Sequence, residues 1–243
     1  MYKFTIPCYN CERWIDQCVN SVLSQKNTNW EAVIVDDGST DKTPEMLERY
    51  KNISQIKVVR FEKNRGSAIG SIVEATNNMS MNPDDVIINL DGDDMLSDQN
   101  VLSYLDQVYA DKNILMSYGQ YEPMTHGYHN FCQPLHNSRT YRKSGAWVVS
   151  HMRTYKKKLW NHIKDSDLRD DDGEYYRMAG DAALIFPLIE LSGLHRIKFV
   201  SQVLYLYNDM TEMNDMKRNP GLQVGIANKI RAKSEYQELG SII

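Results

Sequence analysis

The sequence predicts an α/β protein organised on a mostly parallel sheet, with a smaller antiparallel extension after it. Two observations carry that expectation. Through the first half, short and almost wholly apolar runs alternate with stretches of helical periodicity. Strands that are apolar on both faces need helices above and below them, as in a parallel sheet. Each run also stops abruptly at a polar cluster: "PCYN", "DDGST", "EKNRG" and "DGDD". Ligands of such sheets sit beyond the carboxyl ends of the strands, so four polar ends predict one shared site.

The elements follow in order. "KFTIP" is a strand ending at Pro7, and "CERWIDQCVNSVLSQ" places Trp14, Ile15, Cys18 and Val22 on one helical face. "WEAVIVDDGS" is a second strand, and "KTPEMLERYK" opens with the Thr-Pro pair of a helix start. "IKVVRF" is a third strand, "GSAIGSIVEATNN" a small-residue helix and "DVIINL" a fourth strand. A helix over 101–110 leads to the strand "ILMSYGQYEP"; residues 124–140, rich in His and aromatic side chains, are expected as a mobile loop over the site. "AWVVSHMRTYKKKLWNHI" reads as a strand running into a short basic helix, and 164–180 as an acidic loop. The apolar helix "DAALIFPLIELSG" begins at Asp181, "RIKFV" and "VLYLYN" are two last strands, and a weakly amphipathic helix near 221–238 closes the chain.

Composition bounds the function. The chain has 243 residues, 42% hydrophobic and 25% charged, with a formal net charge of −4. That is a globular composition whose overall field does not favour nucleic acid. Four cysteines, three of them crowded at Cys8, Cys11 and Cys18, are too few for a disulfide framework and lack a second zinc-spaced pair. Free thiols, no signal-like leader and no run of ~18 apolar residues together predict a cytoplasmic protein without a transmembrane segment, with peripheral contact at a membrane left open.

The chemistry centres on Asp91, Asp93 and Asp94. Three carboxylates in one turn, with Gly92 relaxing the backbone, suit a hard divalent cation such as Mg²⁺ or Mn²⁺; a solvated turn before the next helix is the plainer alternative.

The ordered set "IPCYN", "SVLSQ" with "WEAVIVDDGSTDKT", "NRG" and "DGDD" resembles the family 2 glycosyltransferases, strongly over about residues 3–110. That family has the GT-A fold, a Rossmann-like sheet flanked by helices, and uses nucleotide-diphosphate sugars. The resemblance implies a single domain over 1–243, with a nucleotide-sugar-binding half (1–110), an acceptor-side half (111–210) and a helical tail (211–243). It implies that Pro7 and Tyr9 line the nucleotide base, that Asp37 accepts a hydrogen bond from the base while Asp36 supports the turn, and that Arg65 meets base or phosphate. Asp91 would face the ribose, and Asp93, with Asp94, would hold the metal. Without the resemblance, Tyr9 could be a core aromatic and Arg65 an exposed surface residue.

"SHMRTYKKKLWNHI" and "RMAGDAALIFPLIELSG" resemble the family's acceptor-side segments more loosely. The second is normally written Glu-Asp, but here Gly180 precedes Asp181. Asp181 is the candidate general base of an inverting transfer, or simply a helix N-cap. His151 is a weaker candidate for the metal or the acceptor, and His126, His129 and His136 weaker still. Lys156–Lys158 would be a solvated helix face or an anion contact. The expected reaction moves a sugar, from UDP first, to a hydroxyl on a glycan, a lipid-linked acceptor or a protein. A catalytically silent relative and a sugar nucleotidyltransferase are the alternatives.

Overall fold

The computed structural model describes residues 1–125, 131–211 and 220–240, so His126 and His129 lie outside the described residues. Strand β1 (Tyr2–Cys8) is buried at every position. It can be so only at the middle of a sheet, and it pairs in parallel with β2 (Trp30–Asp36) on one side and β4 (Val86–Asn89) on the other. Outside β2 lies β3 (Ile56–Arg60), also parallel. Helices α1 (Ile15–Leu23), α2 (Thr43–Glu48) and α3 (Ala68–Asn77) make the connections. The α1 face predicted from spacing is buried through Ile15, Cys18 and Val22, joined by Val19, while Trp14 stays half-exposed at the helix start. Helix α3 starts where the Ser67 hydroxyl accepts the Gly70 N–H at 3.0 Å, a side-chain cap worth about 1 kcal/mol.

The chain continues through β5 (Met95–Leu96), α4 (Val101–Val108), β6 (Met116–Pro123), β7 (Thr154–Lys156) and α5 (Lys157–Trp160). It then forms α6 (Gly180–Ser192), β8 (Ile197–Tyr207) and α7 (Pro220–Ala232). The described strands make one eight-stranded sheet in the order β3-β2-β1-β4-β7-β6-β8-β5. In the extension β7 runs antiparallel to β4 and β6, and β5 antiparallel to β8, but the long β6–β8 pairing is parallel. The two strands expected at the end are one 11-residue strand. Ser201 and Gln202 are both exposed, and the register shifts around Gln120 absorb that break in alternation instead of ending the strand.

Core residues divide between the two faces as a period of two requires. Val86 and Ile88 join Phe4, Ile6, Ile15 and Ile34 on one face, while Ile87 joins Ile69, Tyr155 and the buried helix α6 on the other. The lysine run is not the solvated helix face that its composition suggests. Lys156 ends β7, is buried and donates to the Lys112 carbonyl at 2.8 Å, and Lys158 pairs with Asp84 at 2.8 Å. Part of the acidic loop meets the end of the chain, through Asp171 to Lys229 at 2.8 Å and Tyr236 to Asp167 at 2.6 Å.

Candidate active site

The carboxyl ends of β1, β2 and β4 are tied together by backbone. Asp37 N–H donates to the Cys8 carbonyl and Gly92 N–H to the Pro7 carbonyl, each at 2.9 Å. A Cβ on Gly92 would lie 2.5 Å from that of Cys8, so glycine lets the acidic turn press against β1. The Asp37 carboxylate accepts the backbone N–H groups of Arg65 at 2.9 Å and Gly66 at 3.0 Å, fixing the "NRG" loop beside it.

These ends form one wall of a cleft of ≈ 660 Å³. Pro7, Tyr9, Asp37, Asp91, Asp93 and Asp94 line it from these strand ends, His151 and Arg153 from the segment before β7, and Asp181 from the start of α6. Most of the residues picked from the sequence are thus brought together. Asp36 and Arg65 are not among the lining residues. Asp36 is buried, accepting the Ser39 N–H at 2.9 Å and facing Arg60 at 3.2 Å, so it supports the turn. The Arg65 guanidinium lies 3.5 Å from the centre of the Phe61 ring, and His136 is exposed elsewhere.

The electrostatics are strained by design of the turn. Burial first, then the charge of Asp91, pushes Asp93 up to about 7. Burial also raises Asp91, against the opposing pull of Arg153. Asp94 is raised by burial and by its two neighbours, although it accepts Tyr205 Oη–H at 2.6 Å and Asn208 N–H at 2.7 Å. A cation among them would reverse all three shifts. Among the described residues, ligand atoms of Asp91, Asp94 and His151 lie within 4.8 Å of one another. Two hard oxygen donors and an imidazole fit Mn²⁺ or Mg²⁺. This group contains Asp94 and His151 of the expected site residues, and Asp93 lines the cleft beside it.

His151 is held between rings. It stacks on Tyr205 at 4.7 Å and on Tyr207 at 5.5 Å, and Tyr121 meets it edge-on at 5.7 Å. Burial, helped by Arg153, lowers its pKa well below the ordinary value and keeps it neutral. Asp181 stands at the start of α6, 41% exposed, with one oxygen 3.5 Å from Arg153. Asn89, Arg153, Asn208 and Gln223 all line the cleft, and each carries a buried polar atom without a hydrogen-bond partner among the described residues. Such atoms are costly in a finished core and mark places where a ligand can bond. Sequence reasoning missed Arg153, Tyr205, Asn208 and Gln223. The alternation of Tyr205 with Tyr207 was the one local signal for a shared face.

The mostly parallel α/β sheet with a carboxylate-lined cleft at its strand ends is a GT-A type fold. The glycosyl transferase family 2 model matches residues 4–163, well over half of the chain, and the chain belongs to that family. It is 45% identical over 64 residues to TuaG of Bacillus subtilis, a glycosyltransferase named for teichuronic acid biosynthesis, covering 26% of this chain and 25% of that protein. It is 30% identical over 166 residues to chondroitin synthase of Escherichia coli, covering 64% of this chain and 22% of that protein. The chain thus spans about a quarter of the length of these relatives. The crystal structure of Staphylococcus aureus TarS 1-349 in complex with UDP-GlcNAc shares the GT-A fold at a TM-score of 0.70 and 21% identity, covering 94% of this chain and 65% of that one. No helix among the described residues is long and apolar enough to cross a membrane.

Proposed function

We propose that this chain is an inverting glycosyltransferase that takes a sugar from a nucleotide-diphosphate donor, UDP-linked first, to a hydroxyl acceptor in the synthesis of a surface glycan or polysaccharide. The observation that carries this reading is one cleft lined by Asp37, Asp91, Asp93 and Asp94 at the strand ends together with Asp181 at the start of α6. Tyr9 and Pro7 border the space for the base, and Asp37, already holding the loop after β3, keeps that border fixed. Asp91 and Asp94 with His151, and Asp93 beside them, would hold Mn²⁺ or Mg²⁺. Such an ion, when bound, offsets the negative charge that develops on the leaving diphosphate.

The remaining steps belong to the chain's own residues. Asp181 takes the proton of the acceptor hydroxyl as its oxygen bonds to the anomeric carbon and the bond from that carbon to the diphosphate breaks. Attack opposite the leaving group inverts the configuration. Asp181 lies in the first turn of α6, which sets its carboxylate at the cleft. The acceptor is a glycan, a lipid-linked saccharide or a protein hydroxyl, met from the cytosolic side, in solution or at the membrane surface.

Calorimetric titration with UDP, GDP and dTDP, each with Mn²⁺ and with chelator, tests the donor half of this reading. One nucleotide should bind only with metal, and Asp93→Ala should abolish that binding. Absence of metal-dependent binding to all three would overturn it. Asp181→Asn should keep donor binding and lose transfer by about 10²-fold or more.

A further inference from the structure

Arg153 is a buried cation that lines the cleft beside the candidate metal ligands. It is 8% exposed, and one terminal nitrogen lies 2.7 Å from Nε2 of His151 while the other lies 3.5 Å from Oδ2 of Asp181. A guanidinium carries only donors. Nε2 must therefore present its lone pair to Arg153, and the ring proton must sit on Nδ1, where it reaches the Ser150 hydroxyl at 3.1 Å. The tautomer follows from this network. The stacked tyrosines hold the ring in that orientation, so the same Nε2 also faces Asp91 Oδ2 at 3.8 Å. A lone pair and a carboxylate have no proton to share. They are two ligands waiting on one positive charge.

We propose that Arg153 and a divalent cation compete for Nε2 of His151, making Arg153 the positioning residue that couples metal loading to the base Asp181. This rests on the metal and base roles proposed above. The guanidinium is poorly satisfied where it stands: Nε has no partner among the described residues, and the contact to Asp181 is long. A buried charge with spare donors is not held there for stability alone. When a cation takes the imidazole lone pair, the donors given up by His151 become available to the anions left in the cleft, Asp181 and the donor's diphosphate.

The test is Mn²⁺ affinity without nucleotide, by calorimetry, for wild type, Arg153→Met, His151→Ala and the double variant. Loss of a charge-assisted hydrogen bond that competes with the metal should tighten Mn²⁺ binding about tenfold or more in Arg153→Met. The gain should vanish in the His151→Ala background, whereas a plain charge effect would persist there. Turnover of Arg153→Met should fall through kcat with little change in donor KM. Equal Mn²⁺ affinity in wild type and Arg153→Met, or the same gain with and without His151, would overturn the competition. If Arg153→Met fails to fold, nitrogen-15 NMR of the wild-type imidazole decides the matter: a metal-free ring protonated on Nε2 refutes it, and one protonated on Nδ1 that shifts at Nε2 on adding diamagnetic Mg²⁺ supports it. Mn²⁺ binding that follows these rules but no nucleotide response would sink the donor reading and leave this one standing. Absence of divalent-metal binding in every variant would sink this proposal.

Discussion

Asp93 shows what the acidic turn does to the free protein. Burial and Asp91 move its pKa from 3.8 to about 7 on folding. Between those values the native chain keeps a proton that the unfolded chain has released, so this group makes stability fall as pH rises from about 4 to 7, then level off. In Asp93→Asn that contribution is absent. The difference in Tm between wild type and variant, measured in chelator, should therefore move against the wild type across this window. Mn²⁺ should return the lost stability at pH 7.5 in wild type only. A parallel pH course for the two proteins would refute the buried-acid account. Legibility at this scale followed chain locality. Asp91, Asp93 and Asp94 were readable because three like charges in one turn are anomalous by themselves. Arg153 and Tyr205 were not, because neither residue carries a local sign of its partner: Asp181 is 28 positions from Arg153, and Asp94 is 111 from Tyr205.

Gly180 explains itself at the level of packed elements. The acceptor-side segment of the resembling family has glutamate there, and its replacement could be read as loss of function. A Cβ at this position would lie 2.9 Å from both Cβ and Cγ2 of Ile69 at the start of α3. Helix α6 has moved onto α3 as closely as glycine allows, which brings Asp181 to the cleft wall without help from a neighbouring acid. Gly180→Glu should therefore lower stability by about 1–3 kcal/mol through overpacking and lower transfer rather than restore it. Denaturant unfolding and a turnover assay check both, and a more active, equally stable variant would contradict this. The strands and first three helices were legible because apolar runs, a Thr-Pro start and glycine-marked turns are local signals. The single long β8 was hidden by Ser201 and Gln202, whose exposure looks like a turn until the shifted register with β6 is known.

Across the whole molecule the cleft is closed by residues from the far end of the chain. Gln223 of α7 lines it, and what holds that helix is a buried ion pair. Arg142 donates to both oxygens of Glu190 on α6, at 2.6 and 2.7 Å, and to the Ile230 carbonyl of α7 at 3.0 Å. Glu190 also accepts the Tyr236 N–H at 3.0 Å, and Arg231 returns a bond to the Arg142 carbonyl at 2.6 Å. One arginine thus ties α6, which carries Asp181, to the helix that carries Gln223, while β1, β2 and β4, whose ends are proposed to bind the nucleotide, take no part in the clamp. Arg142→Met strands Glu190 in the interior and should cost about 3–5 kcal/mol. The loss should be uneven: proteolysis should open first within 220–240, and transfer to acceptor should fall. Metal-dependent nucleotide affinity, carried by residues outside the clamp, should change by less than about threefold at temperatures where the variant is folded. Arg142→Met combined with Glu190→Leu removes the stranded charge and should recover much of the stability. If nucleotide binding fell in step with transfer, the clamp and the strand ends would be one cooperative unit, and the division of labour proposed for the halves of this chain would be wrong.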